Sequence, residues 1–155
     1  MFLLLHRLRR RRRAIGLARP ERPASLALRH VDAGSCNVCE QELAATASPY
    51  YDLARHGIGV VASPRHADVL LVTGAVTTRM TGPLRAAYEA MPEPRLVAAL
   101  GSCACGRSGP PASDEVVGGV AELLPVDLEI PGCPPDPEAI AAALHDALDL
   151  LRPAT

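Results

Sequence analysis

Tryptophan and lysine are absent from this 155-residue chain, and its only aromatic rings are Phe2, Tyr50, Tyr51 and Tyr88. So few rings give bases nothing to stack on, which argues against a nucleic-acid partner. No apolar run approaches the roughly 18–20 residues of a membrane span, so no segment of this sequence reads as crossing a bilayer. The N-terminus also lacks the apolar stretch that must follow the charges of a secretory signal. Its short run Phe2–Leu5 precedes the arginines instead, and a twin-arginine export signal fails for the same reason. Cysteine is scarce: Cys36, Cys39, Cys103, Cys105 and Cys133 are too few to staple a mini-protein of this core content. An odd number leaves one thiol over, which favours a reducing compartment and metal or redox use of the sulfurs.

What is present is strongly segregated. The formal net charge is −1, yet half of the 16 arginines fall within residues 1–22, beside a single acid, Glu21. Residues 1–22 are read as a basic arm that lies on an anionic membrane surface or docks on a membrane partner, each arginine contributing about 1 kcal/mol there. A solvated charge run is the plainer alternative. Residues 23–152 then form one acidic domain, long enough to bury roughly 68–70% of the surface its unfolded chain exposes.

Along that domain, short apolar runs alternate with helical patterns. Strands are expected around Leu26–Val31, Ile58–Val61, Asp68–Thr73, Arg95–Leu100 and Val126–Ile130. The third is apolar on both faces, as buried parallel strands tend to be. Helices are expected from Asn37, broken by Pro49 and resuming through Tyr50–His56, from about Pro83, over Val117–Leu124, and from Asp136-Pro137, where Ile140, Leu144, Leu148 and Leu151 share one face. This alternation implies right-handed crossovers and an open parallel sheet of about five strands with helices on both faces.

Cys36 and Cys39 follow the first strand, Cys103 the fourth and Cys133 the fifth. In an open parallel sheet the carboxyl ends of the strands share one edge, so these four thiolates can meet. Four is the number a cubane [4Fe–4S] cluster takes, one per iron. Structural zinc is a second reading, although such sites usually show two close pairs. Cys36-Asn-Val-Cys39 at a helix start also fits a thioredoxin-type dithiol, which leaves Cys103 and Cys133 idle. Cys105 competes with Cys103 for one ligand position, with Cys103 preferred. Glu40, beside Cys39, is either a proton relay or an exposed helix-start carboxylate. Arg65 and His66 either contact a partner or the cluster edge, or cap the turn before the third strand. No nucleophile and base pair is visible, so the isolated chain is expected to have no turnover.

Gly34-Ser-Cys-Asn-Val-Cys-Glu40, Ser63-Pro-Arg-His-Ala-Asp68, Gly101-Ser-Cys-Ala-Cys-Gly106 and Pro125-Val-Asp-Leu-Glu-Ile-Pro-Gly-Cys-Pro-Pro135 occur in this order. Together they resemble the family of [NiFe]-hydrogenase small subunits and the complex I subunit that carries the terminal cluster. The resemblance implies a flavodoxin-like domain with one [4Fe–4S] cluster on residues matching Cys36, Cys39, Cys103 and Cys133. Complex I members typically place two adjacent cysteines at the first site, whereas Cys36 and Cys39 are spaced in the hydrogenase form. The chain thus looks closest to small subunits of membrane-bound, energy-converting hydrogenases. That implies an electron relay at the cytoplasmic face of the membrane, peripheral to it, between a hydrogenase-like large subunit and a ferredoxin-like iron–sulfur subunit, with an integral membrane subunit met by the basic arm. Rival readings are an NADH-quinone oxidoreductase-type subunit passing electrons to quinone and a stand-alone zinc or dithiol protein. Val38 stands where many relatives have glycine. Arg107–Val116 replaces the Tyr-bearing stretch that complex I members use near quinone.

Overall fold

The computed structural model describes residues 25–110 and 113–151; the basic arm lies outside them. In chain order the elements are β1 (Leu26–Asp32), α1 (Val38–Ala45), β2 (Ile58–Val60), β3 (Val69–Thr73), β4 (Val76–Thr77), α2 (Thr81–Ala90), β5 (Leu96–Leu100), β6 (Val116–Gly118), β7 (Leu128–Ile130) and α3 (Pro137–Leu150). Five strands form one parallel sheet in the order β2-β1-β3-β5-β7, while β4 and β6 make a separate antiparallel ribbon. With the ribbon set aside, the large sheet has the doubly wound order of flavodoxin-like folds.

Period-two alternation divides the central strands between two cores. Val69 and Leu71 of β3, with Ala98 and Leu100 of β5, meet Ile140, Leu144 and Ala147 of α3 and the α1 residues Cys39 and Leu43. Leu70, Val72, Val97 and Ala99 meet Leu84 and Met91 on the opposite face, with Val120 and Leu124. Every residue of β3 is therefore buried. The helix that covers the first core starts where the sequence places it: Asp136 accepts from the Ala139 amide at 2.7 Å, and Pro137 opens the first turn.

Two aspartates pin the strands at their amino ends. The Asp68 carboxylate accepts from the Ala27 amide (2.9 Å) while the Asp68 amide donates to the Ala27 carbonyl (2.8 Å), locking β3 to β1. Asp127 and Val97 repeat the exchange between β7 and β5, at 2.8 and 2.9 Å.

Three expectations are corrected. Val117–Leu124 is not one helix but strand β6 followed by a single 3-10 turn, Val120–Glu122. Gly118 there adopts φ +134°, and a Gly-Gly pair weakens a helix by about 1 kcal/mol per residue. The helix from Asn37 ends at Ala45, where the Thr46 hydroxyl donates back to the Leu43 carbonyl at 2.6 Å. Only a 3-10 turn, Leu53–His56, follows it, its start capped by Asp52. Helix α2 begins at Thr81, a little before Pro83.

Because Leu71 is fully buried in the central strand, Leu71→Ala should lower unfolding free energy by about 2–5 kcal/mol. Val60, 63% exposed on edge strand β2, should change it by no more than about 0.5 kcal/mol when truncated to Ala. Denaturant titration of the two variants checks the contrast.

Candidate metal centre

Of the loops that leave the carboxyl edge of the sheet, those after β1, β5 and β7 carry the cysteines. After β1, the Asp32 carboxylate accepts from the Gly34 and Ser35 amides at 2.9 and 2.7 Å, and the Ser35 hydroxyl accepts from the Asn37 amide at 3.0 Å. Burial opposes the charge on Asp32, but these backbone donors outweigh it and hold the carboxyl below its ordinary pKa. Asn37, at φ 69°, then turns the chain into α1. The result leaves Cys36 exposed and sets Cys39 half-buried in the first helical turn, packed on the first core.

The loop after β5 winds tightly. The Cys105 amide donates to Gly101 and the Gly106 amide to Cys103. Gly101, at φ +93°, faces the Cys39 sulfur so closely that an added Cβ would lie 2.5 Å from it. No side chain fits between that loop and the thiol. Cys103 is half-buried, and Gly109 folds back over it, where a Cβ would stand 3.2 Å from its sulfur. The loop after β7 carries Cys133, which is exposed.

Cys39 is where these loops converge. Its thiol is pushed up to about 11, first by burial, then by the Glu40 charge and by Cys36, Cys103 and Cys133. The other three predicted cysteines therefore all act on Cys39. Cys105 does not join them. Its thiol donates to the Ala99 carbonyl at 3.5 Å and packs on the opposite core, and burial followed by the Glu129 charge raises its pKa.

Among the described residues, no group of three or more His, Cys, Asp or Glu side chains is gathered as the ligands of a single ion. Zinc draws its four ligands onto one centre, whereas a cubane takes each thiolate on a different iron and spreads them wider. The donor set, four thiols on three loops at one sheet edge, is of the chemical kind that either group takes.

A second polar group lies beside Cys39. The Thr73 hydroxyl donates to Glu40 Oε1, and His30 Nε2 lies 2.9 Å from the same hydroxyl and 3.8 Å from Glu40 Oε1. The Glu40 side chain is 15% exposed and its Oε2 is buried without a partner, which removes the reading of an exposed helix-start carboxylate. Sequence reasoning missed His30 and Thr73. Their signal was weak: His30 lies between Arg29 and Val31 in β1, and Thr73 closes the apolar run of β3. Arg65 and His66 sit in a turn capped by the Ser63 hydroxyl at the amino end of β3, the edge away from the cysteines, so they do not reach the cluster edge.

Burial lowers the His30 pKa, with Glu40 and Asp32 opposing and Arg29 assisting. The unfolded chain then binds more protons than the folded one as pH falls through about 6.5, and stability falls with it. His30→Gln, whose amide can still donate to Thr73, should lose less stability than the parent between about pH 7 and pH 5, measured by urea midpoints.

A family model described as NADH ubiquinone oxidoreductase, 20 kDa subunit, matches residues 36–147, a span that holds all five cysteines. The chain is 50% identical over 124 residues to formate hydrogenlyase subunit 7 of Escherichia coli, covering 79% of this chain and 48% of that protein, so it spans about half the length of that relative. It is 44% identical to a probable membrane-bound hydrogenase subunit of Pyrococcus furiosus, covering 79% and 73% of the two chains. It is 47% identical to an NADH-quinone oxidoreductase subunit of a Geobacter species, covering 72% and 65%. Among solved structures, a chain of the membrane-bound sulfane sulfur reductase, an archaeal respiratory membrane complex, superposes with a TM-score of 0.70 at 30% identity, covering 83% and 71%. A chain of an NAD+-reducing [NiFe]-hydrogenase shares the fold, with a TM-score of 0.65 at 20% identity, covering 84% and 95%. With its five-stranded parallel sheet and a match over most of its length, the chain belongs to the family of complex I 20 kDa subunits and [NiFe]-hydrogenase small subunits.

Proposed function

We propose that the chain is the electron-transfer subunit of a membrane-associated oxidoreductase, holding one [4Fe–4S] cluster on Cys36, Cys39, Cys103 and Cys133. The observation that supports this reading is that Cys36, Cys39, Cys103 and Cys133 follow the carboxyl ends of parallel strands β1, β5 and β7, which share one sheet edge, while Cys105 faces the opposite core. When bound, the cluster supplies one-electron redox chemistry. The chain's own contribution is position and environment. Half-buried Cys39 and Cys103 anchor the site from within, and exposed Cys36 and Cys133 turn its outer side toward a neighbour. Val38, 37% exposed between Cys36 and Cys39, adds apolar surface that a partner would cover.

The relay runs between a hydrogenase-like large subunit and a ferredoxin-like iron–sulfur subunit. Identity to the hydrogenase relatives and to the quinone relative is similar in size, so the branch is read from the Cys36-Asn-Val-Cys39 spacing. The residue 1–22 arm, rich in arginine, holds the acidic domain against an integral membrane subunit on the cytoplasmic side. Among the described residues no helix is long and apolar enough to cross a membrane, which accords with a peripheral place. Glu40, hydrogen-bonded to Thr73 beside Cys39, is the group that would hold a proton next to the cluster.

Anaerobic purification with iron and acid-labile sulfide analysis tests the proposal. About four irons per chain are expected, lost in Cys133→Ser and retained in Cys105→Ser. Stoichiometric zinc, or the reverse behaviour of the two variants, would overturn it.

A further inference from the structure

Cys103 and Cys133 sit on different loops, yet the residues immediately before them are bonded to each other twice. The Ser102 amide donates to the Gly132 carbonyl at 2.7 Å, and the Gly132 amide donates to the Ser102 hydroxyl at 3.1 Å. This is the reciprocal exchange that Asp127 and Val97 make at the other end of the same strand pair. Between these two locks β5 and β7 share only three register positions, Ala98↔Leu128 to Leu100↔Ile130. The Ser102 carbonyl is used as well, accepting from the Arg107 and Ser108 amides at 2.9 and 3.1 Å. Every polar atom of Ser102 is thereby committed to the cysteine loops.

Gly132 cannot answer a loss at Ser102 by substitution of its own, since at φ +148° an added Cβ would strike Pro135. Its amide is part-buried and has the Ser102 hydroxyl as its acceptor. From this we infer that Ser102 is a positioning residue, fixing the Cys103 and Cys133 thiolates relative to each other and so tuning the potential of the group they hold. The inference rests on the cluster reading above. Sulfur placement and nearby backbone hydrogen bonds are recognised levers on cluster potential.

The test compares the parent, Ser102→Ala and Ser102→Thr in the full chain, folding being checked by circular dichroism. In the metal-free protein, the Gly132 amide should exchange with solvent at least about tenfold faster in Ser102→Ala than in the parent, and at the parental rate in Ser102→Thr. In the iron-loaded protein, Ser102→Ala should keep its iron but show a shifted midpoint potential and altered paramagnetic signal on reduction, with Ser102→Thr restoring both. Unchanged exchange in Ser102→Ala overturns the lock. Faster exchange with an unchanged potential and signal overturns the positioning role, as does a failure of Ser102→Thr to restore them. A parent that keeps Gly132 protection but binds no iron refutes the cluster reading instead, and with it the role assigned to Ser102.

Discussion

Parallel pairing is the constraint on which the site depends. Because β1, β5 and β7 run in one direction, the residues that follow them emerge at the same edge, and cysteines as far apart as Cys36 and Cys133 are carried to it. The sheet supports this edge from both faces, with two apolar cores that alternate along β3 and β5. Short strands would slip easily without further fixing. Side chains that trade hydrogen bonds with the neighbouring backbone supply it: Asp68 and Asp127 at the amino edge, and Ser102 at the carboxyl edge. The last of these lies within the loops that carry the chemistry, so strand register and sulfur placement are one structural problem.

The electrostatics of the edge follow from the same geometry. Burial of Cys39 against the core disfavours its ionisation first, and the Glu40 carboxylate and then the other three cysteines add to that cost. A bound metal group would make such an arrangement favourable, since each thiol would release its proton to solvent on coordination and the positive charge of the metal would offset the repulsion between the thiolates. The glycines at 101 and 109 leave the Cys39 and Cys103 sulfurs free of crowding from the loop backbone. Cys105 shows the contrast. Two residues from Cys103 in sequence, it turns to the opposite core and bonds a strand carbonyl, behaving as a small half-buried apolar residue.

Much of this was legible in the sequence because its signals are local. The two-sided apolar run of Asp68–Thr73 announced a buried parallel strand, and Asp136-Pro137 announced the start of α3. Cysteines placed just after strands one, four and five then implied a common edge once the strands were taken as parallel. What escaped depends on partners distant in sequence. The β4–β6 ribbon is two to three residues long and exists only through pairing across about forty positions, so neither half carries a periodicity. Val117–Leu124 has helix-like apolar spacing, but the glycines at 118 and 119 give the backbone another course. Thr73, at the end of an apolar run, and His30, beside Arg29, carry no clear signal until Glu40 is seen to pack beside them. The burial of Glu40 itself belongs to that tertiary arrangement and has no trace in the Cys39-Glu40 text.

The central claim is that four sulfurs gathered by a parallel sheet hold one multinuclear cluster rather than a single ion. Mössbauer spectroscopy of the anaerobically isolated, iron-57-labelled chain addresses it most directly, because it distinguishes coupled from isolated irons. The account requires the bound iron to form one exchange-coupled set of about four ions per chain, one for each thiolate. A spectrum of mononuclear tetrathiolate iron, or an iron-free chain that carries zinc in its place, would contradict it.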